Sequence, residues 1–248
     1  MKKALSVLII AISFVSTCFS QTTSGKINYK VSHNWVKKIV AVDYMSKSTR
    51  EKYEYMWGQT DEYDHKSTLV FNTKAYRYEE QDDNVHPGWS SRTVEYIIYR
   101  DRENNKSYDV IRTLNDLYVI DDTIVSQKWK ILNDMKEVAG RICMNAYWYD
   151  SIKMNEVVAW FALDWNEKLG PEDYLGLPGV ILEIDINNGA KKITAESIEF
   201  FNDEQIIEKP EHKKRHKNVS YAEYSKVIAD YIKECKQEER PYFWGIRY

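Results

Sequence analysis

The chain has 248 residues and a formal net charge of −3, so it is long enough to bury a sizeable core and lacks the basic excess of a nucleic-acid binder. It carries 8 Trp, 19 Tyr and 7 Phe, and aromatic residues favour pleated, half-buried surfaces. The same richness suits a protein that binds something apolar or planar.

The first residues read as an export signal. Lys2 and Lys3 precede an apolar or small run from Ala4 to Val15, and Ser16-Thr17-Cys18-Phe19-Ser20 follows. A basic start, a short apolar stretch and small residues are the three parts of a secretory leader. Twelve apolar residues are too few to span a bilayer core, which takes roughly 20 in a helix. The pattern predicts cleavage after Ser20, which places residues 21–248 in the periplasm or outside the cell. Losing a leader with two lysines and no acids takes the net charge from −3 to −5. An outer-membrane lipoprotein acylated on Cys18 is the alternative, but Thr17 is a poor residue before such a cysteine. No second apolar run is long enough to cross a membrane after the leader is gone.

Gly25 to Ser32 alternates Ile27, Tyr29 and Val31 on one side and reads as a strand. Ser46 to Trp57 reads as a short helix or a long excursion. Thr68 to Tyr78 reads as two strands around Asn72, and His86-Pro87-Gly88 marks a loop. Short strands follow at Thr93–Tyr99, Ser107–Thr113, Asp116–Asp121, Gln127–Leu132, Arg141–Tyr149 and Val157–Asp164. In Leu177-Pro178-Gly179-Val180, Pro then Gly at the central positions predicts a type II turn with positive φ at Gly179. Val180, Leu182, Ile184 and Ile186 then share a face, and Asn188-Gly189 predicts a hairpin back along Lys191–Phe201.

The C-terminal part changes character. Ser220-Tyr221-Ala222-Glu223 fits a capping box, and Tyr224, Val227, Ile228, Tyr231, Ile232 and Cys235 form one apolar stripe. This predicts an amphipathic helix over about 220–239, packed on a sheet. Beyond it, Tyr242, Trp244, Ile246 and Tyr248 alternate, as an edge strand or a covering tail would. The fold class is therefore mainly β (β-rich α+β): one domain over 21–248, a single curved antiparallel sheet with a peripheral C-terminal helix.

The hexapeptide Gly176-Leu177-Pro178-Gly179-Val180-Ile181 closely resembles the signature of the GLPGLI family, exported proteins of two-membrane bacteria. Val180 stands where the signature has Leu. Gly170-Pro171, Val158-Ala159-Trp160-Phe161, the Cys143 segment Val138–Cys143, Gln127-Lys128-Trp129 and Ser67–Asn72 resemble other family segments in the same order, over roughly 25–200. The resemblance implies a β-rich envelope protein and carries no established activity.

Candidate chemistry is sparse. After cleavage, Cys143 and Cys235 remain, an even number in a compartment that permits disulfides. A Cys143–Cys235 bridge and two free thiols are both open, since Cys235 also fits as an apolar knob of the helix. No histidine neighbours either cysteine in sequence, which argues against a catalytic thiol. His212 and His216 have a helical metal-ligand spacing, but the flanking lysines and Arg215 repel a cation. Asp61–His65 and Gln81–Asn84 lack the glycine-punctuated spacing of a calcium loop. No catalytic, cofactor or metal motif is present, so none of these is expected. Gly170, Pro171, Gly176, Leu177, Pro178 and Gly179 are motif and turn residues, and the Trp160–Gly179 connection is the candidate binding loop. The reading is a non-catalytic envelope module for a lipid or other apolar ligand, a peptide or a partner protein. An accessory subunit of an outer-membrane complex is the alternative, and a hydrolase whose site is scattered along the sequence is a third.

Overall fold

The computed structural model describes residues 24–58, 62–81, 95–211 and 215–248. The leader and His86-Pro87-Gly88 fall outside them. Among the described residues twelve strands form one continuous, open sheet: β1 (Gly25–Asn34), β2 (Glu62–Phe71), β3 (Ala75–Glu80), β4 (Tyr96–Asp101), β5 (Lys106–Thr113), β6 (Asp116–Thr123), β7 (Lys130–Val138), β8 (Arg141–Asp150), β9 (Asn155–Ala162), β10 (Ile181–Ile186), β11 (Lys191–Phe200) and β12 (Lys217–Val219). Their order is β12-β6-β5-β4-β3-β2-β1-β11-β10-β9-β8-β7. Every neighbouring pair is antiparallel except β12 with β6, so the sheet is mixed at one edge.

Local sequence explains most strands. In β1, Ile27, Tyr29 and Val31 are fully buried while Lys30 between them is exposed, as period-two alternation requires. Asn72 turns β2 into β3: its side chain accepts from the amides of Lys74 and Ala75, an Asx-type turn. Burial in β10 is heavier than alternation predicts. Glu183, on the polar side of the strand, is only 5% exposed and is held by Lys136 at 2.6 Å.

The Asn-Gly signal does mark the β10–β11 hairpin, but the loop is longer than two residues. Ile186 pairs with Lys191, leaving Asn187 to Ala190 in the turn. Asn187, Asn188 and Gly189 all have positive φ, and the Ala190 amide donates to the Ile186 carbonyl at 3.0 Å. Asparagine and glycine are the residues that tolerate such a run.

Among the described residues three α-helices flank the sheet. The first, α1 (Trp35–Ala41), has no periodicity of its own. Asn34 accepts from the Lys37 amide at 2.8 Å, and this cap converts the end of β1 into a helix start. The second, α2 (Lys47–Trp57), is capped by Ser46. The third, α3 (Tyr221–Gln237), starts at Ser220 with both halves of the capping box formed. It buries Ile228, Ile232 and Cys235 and lies against β6. Tyr224 meets Tyr118 of that strand edge-on at 5.5 Å, and its hydroxyl shares a 2.7 Å hydrogen bond with Thr113.

After α3 the chain forms a covering tail and not an edge strand. Tyr242–Trp244 make a 3-10 turn, and Tyr242, Phe243, Ile246 and Tyr248 are buried. Tyr242 and Tyr248 stack at 5.8 Å, and the half-buried Arg247 reaches Glu80 of β3 and Glu172. Among the described residues no helix is long and apolar enough to cross a membrane.

Candidate functional site

Residues from β4 to β6 and from the end of β8 line one cavity, so the sheet bends enough to bring its flanks to a common space. The cavity measures about 380 Å³. Tyr96, Asp109, Ile111 and Ile120 form its sheet wall, and α3 contributes Tyr221, Tyr224, Ser225 and Ile228. Val125 to Lys128, Trp148 and the turn Asp150–Lys153 lie opposite, with Glu172, Asp173, Tyr174 and Arg247 completing it.

The β9–β10 connection reaches this cavity through residues 172–174. Its frame is made by backbone bonds: the Val180 amide to the Trp165 carbonyl at 3.1 Å, and the Ile181 amide to the Leu169 carbonyl at 2.9 Å. Gln127 clamps the tip, donating to the Asp173 carbonyl at 3.1 Å and accepting from the Leu175 amide at 2.8 Å. Trp129 Nε1 donates to the Leu175 carbonyl at 2.6 Å. Trp129, Trp148 and Tyr174 form a three-ring cluster with centroids 6.1–6.4 Å apart. Glu172 has a φ of 53°, a left-handed backbone that a glutamate adopts only when its surroundings hold it there.

Those surroundings are a charge network at the cavity wall, in which Glu172 and Lys191 are buried and His65, Glu80 and Arg247 half-buried. Glu172 accepts from Lys191 at 2.6 Å and from Arg247 at 2.7 Å. Arg247 also donates to Glu80 at 2.5 Å, and Glu80 in turn bonds His65 Nε2 at 2.9 Å. The Arg247 guanidinium lies 3.6 Å over the Tyr96 ring, where the ring face attracts a cation. Next to this network, His33 stacks on His65 at 5.2 Å and meets Lys38 Nζ at 2.6 Å. Lys38 is 2% exposed, over Trp35 at 4.5 Å and Tyr248 at 5.0 Å.

Burial opposes ionisation of Glu172, but Lys191 and Arg247 more than offset it and pull its pKa down to about 2. For Lys191 burial wins and Arg247 adds to it against Glu172, so its pKa falls to about 8. The two shifts differ in sense toward charge. Two cations touch one oxygen of the Glu172 carboxylate, and both groups stay ionised at neutral pH. Burial, followed by the field of Lys191 and Arg247, holds Lys38 well below an ordinary lysine. Burial and then Lys38 do the same to His33. A second buried pair, Arg100 with Asp109, stands on the sheet wall.

Two carboxylates of the lining have no ion-pair partner among the described residues. Asp173 Oδ2 accepts from the Tyr221 hydroxyl at 3.4 Å, and its charge is the first cause of a raised Tyr221 pKa, ahead of burial. Asp150 Oδ1 accepts the amides of Ile152 and Lys153 at 2.9 and 3.1 Å.

The residues singled out from sequence are close to this site but are its frame. Gly170 and Pro171 are buried just before Glu172, and Leu177 is 2% exposed. The type II turn at Gly179 is not formed. Positive φ belongs to Gly176, at 100°, while Gly179 is needed because a Cβ there would lie 2.1 Å from the Ala162 carbonyl oxygen. Pro178 is exposed between them.

The Cys143–Cys235 bridge is also absent. Both thiols are free and buried, one on β8 among strand neighbours and one as the apolar knob of α3. Burial pushes the Cys143 thiol up to about 11 and raises Cys235 too, which makes neither a nucleophile. His212 lies outside the described residues, and no cluster of three metal-ligating side chains occurs among the described ones. Sequence reasoning passed over Glu172, Asp173, Lys191 and Arg247. The signals were a Glu-Asp pair directly after Gly170-Pro171 and an arginine inside an aromatic tail.

Residues 149–183 match the model of a family described as a protein of unknown function (Porph_ging). That segment holds the Asp150–Lys153 turn and Glu172–Tyr174, together with the Gly176–Ile181 hexapeptide. No curated protein matches the chain. Among solved structures it is similar to PNGF-II in the P21 space group, at 14% identity and a TM-score of 0.51, over 83% of this chain and 33% of that one. PNGF-II in the C2 space group gives 14% identity and a TM-score of 0.49, over 83% and 32%. The chain therefore spans about a third of the length of these solved chains, and at this identity the first likeness concerns the fold alone.

Proposed function

We propose that this chain is an exported, non-catalytic binding module of the periplasm or the cell exterior, which receives a small ligand or a partner's side chain in the aromatic cavity. The observation that carries the reading is the cavity itself. At about 380 Å³ it falls within the size range of small-molecule sites, with five aromatic rings and a few converging polar groups in its walls. Export rests on the Lys2-Lys3 start, the Ala4–Val15 run and the small residues up to Ser20.

A second reading is an accessory subunit of an envelope complex. It is favoured by the edge strand β7, where Ile131 and Met135 are 51% and 63% exposed, beside Ile142 of β8 at 53%. An uncovered apolar edge of this kind is a template for another strand.

Native mass spectrometry of the protein, isolated gently from its host envelope, separates the two. A reproducible small-mass adduct in the wild type that is lost in Trp148→Ala supports the cavity reading. A bare chain mass, or an adduct that survives Trp148→Ala, overturns it and leaves the accessory reading in its place.

A further inference from the structure

We propose that the cavity is a site for an organic cation, an ammonium or guanidinium group on an apolar body, received by Asp173 against the rings of Tyr221 and Trp148. The inference rests on the cavity reading above and names its ligand class.

Most charges around the cavity already have partners. Arg247 is tied to Glu80 and Glu172, Lys191 to Glu172, and Arg100 to Asp109. These three bases and three acids balance, and none is free to meet a ligand of either sign. What remains of the lining is Asp150 and Asp173 on the acidic side, with Lys128 and Lys153 on the basic side. Lys128 is exposed, and Lys153, half-buried like Asp173, sits on the 151–153 turn. Asp173 differs from them. It stands on the clamped 172–175 tip, between the buried residues Glu172 and Tyr174, and touches the α3 residue Tyr221.

The field of Asp173 extends over the inner aromatic wall. It raises the pKa of Tyr96 and Tyr174 behind burial and Glu172, and that of Tyr224 behind burial, and it is the leading cause at Tyr221. Burial penalises a charge of either sign, so only the Asp173 part of these shifts bears on a ligand, and that part favours a positive group. Aromatic faces add to this, since Trp and Tyr attract a cation through the ring quadrupole. The chain already uses the device once, with Arg247 seated 3.6 Å over Tyr96 in the same lining.

The size also fits. A space of about 380 Å³ holds one side chain of lysine or arginine, or a free amine of similar bulk. The two sources share the cationic head and differ in whether a peptide backbone follows it.

The test is calorimetric titration of the mature chain with an isosteric pair, benzylamine and benzyl alcohol. A charge-assisted hydrogen bond to Asp173 predicts an affinity about tenfold or more higher for the amine. Asp173→Asn removes this preference while leaving the alcohol within about twofold and the melting temperature unchanged, since no ion pair among the described residues is lost. Binding of N-acetyl-lysine methylamide or N-acetyl-arginine methylamide tighter than benzylamine assigns the head to a peptide, and the reverse assigns it to a free amine. Equal affinity for amine and alcohol, or an amine preference that survives Asp173→Asn, overturns the cation inference and leaves the cavity reading standing. Failure of every probe overturns it too, and the native adduct then decides whether the cavity reading falls with it.

Discussion

At the scale of single residues, Gly179 shows how one expected property can arise from a different cause. A Pro-Gly pair predicts a type II turn, in which the glycine is chosen for positive φ. Here its φ is ordinary and the constraint is the Ala162 carbonyl, 2.1 Å from where a Cβ would stand. The two causes predict different mutants. Asparagine tolerates positive φ better than other residues with a Cβ, so a turn constraint would penalise Gly179→Asn less than Gly179→Ala. A steric constraint makes Gly179→Asn no better than Gly179→Ala, each lowering stability by roughly 1–3 kcal/mol. Urea unfolding of the pair checks this, and a clearly higher midpoint for the asparagine variant than for the alanine one would restore the turn. Gly176 is the position where positive φ matters.

At the scale of elements, the β9–β10 connection behaves as a built part of the site. It has no regular structure, yet its tip is fastened by Gln127 and Trp129 from the β6–β7 connection. Gln127→Ala removes one acceptor and one donor from the tip and touches none of the strand ladders. Hydrogen exchange at the Leu175 amide is then expected to speed up markedly, while amides of β9 and β10 keep their protection. An unchanged Leu175 rate would show that the tip is held by its own turn. Helix α3 illustrates the opposite case, since Ser220, Glu223 and the apolar stripe carry all its start and packing signals within one segment.

At the scale of the whole molecule, the charge network makes stability depend on pH with a definite sign. Burial and the cations Lys38, Lys191 and Arg247, with His65, lower the His33 pKa. Below about pH 6.5 the unfolded chain therefore binds a proton that the folded chain refuses, and stability falls as the pH drops. Stability is expected to fall between about pH 7 and pH 5.5, and His33→Gln removes that fall. Glu80 and Glu172 are held ionised by their basic partners, so a further loss sets in as pH falls below their ordinary range of about 4.5. Denaturant unfolding across this range reads both steps. Stability that stays flat from pH 7 to pH 5.5 would show that His33 takes up its proton in the folded chain.

The sequence by itself determined the features that depend on neighbours within one turn or one pleat. These are the β-rich class, the alternation of β1, the Asn72 turn, the β10–β11 hairpin and the capped amphipathic helix α3. It did not show α1, because seven residues rich in valine and isoleucine look like more strand until the Asn34 cap is seen. Only the tertiary structure decided that Arg247 meets Glu80 and Glu172, 167 and 75 positions away, and that Glu172 meets Lys191. The cavity joins β4 to β6, the end of β8, the 172–174 tip and α3, which no periodicity links. Strand order and sheet curvature bring those residues together, and such long-range pairing is a property of the whole chain's packing.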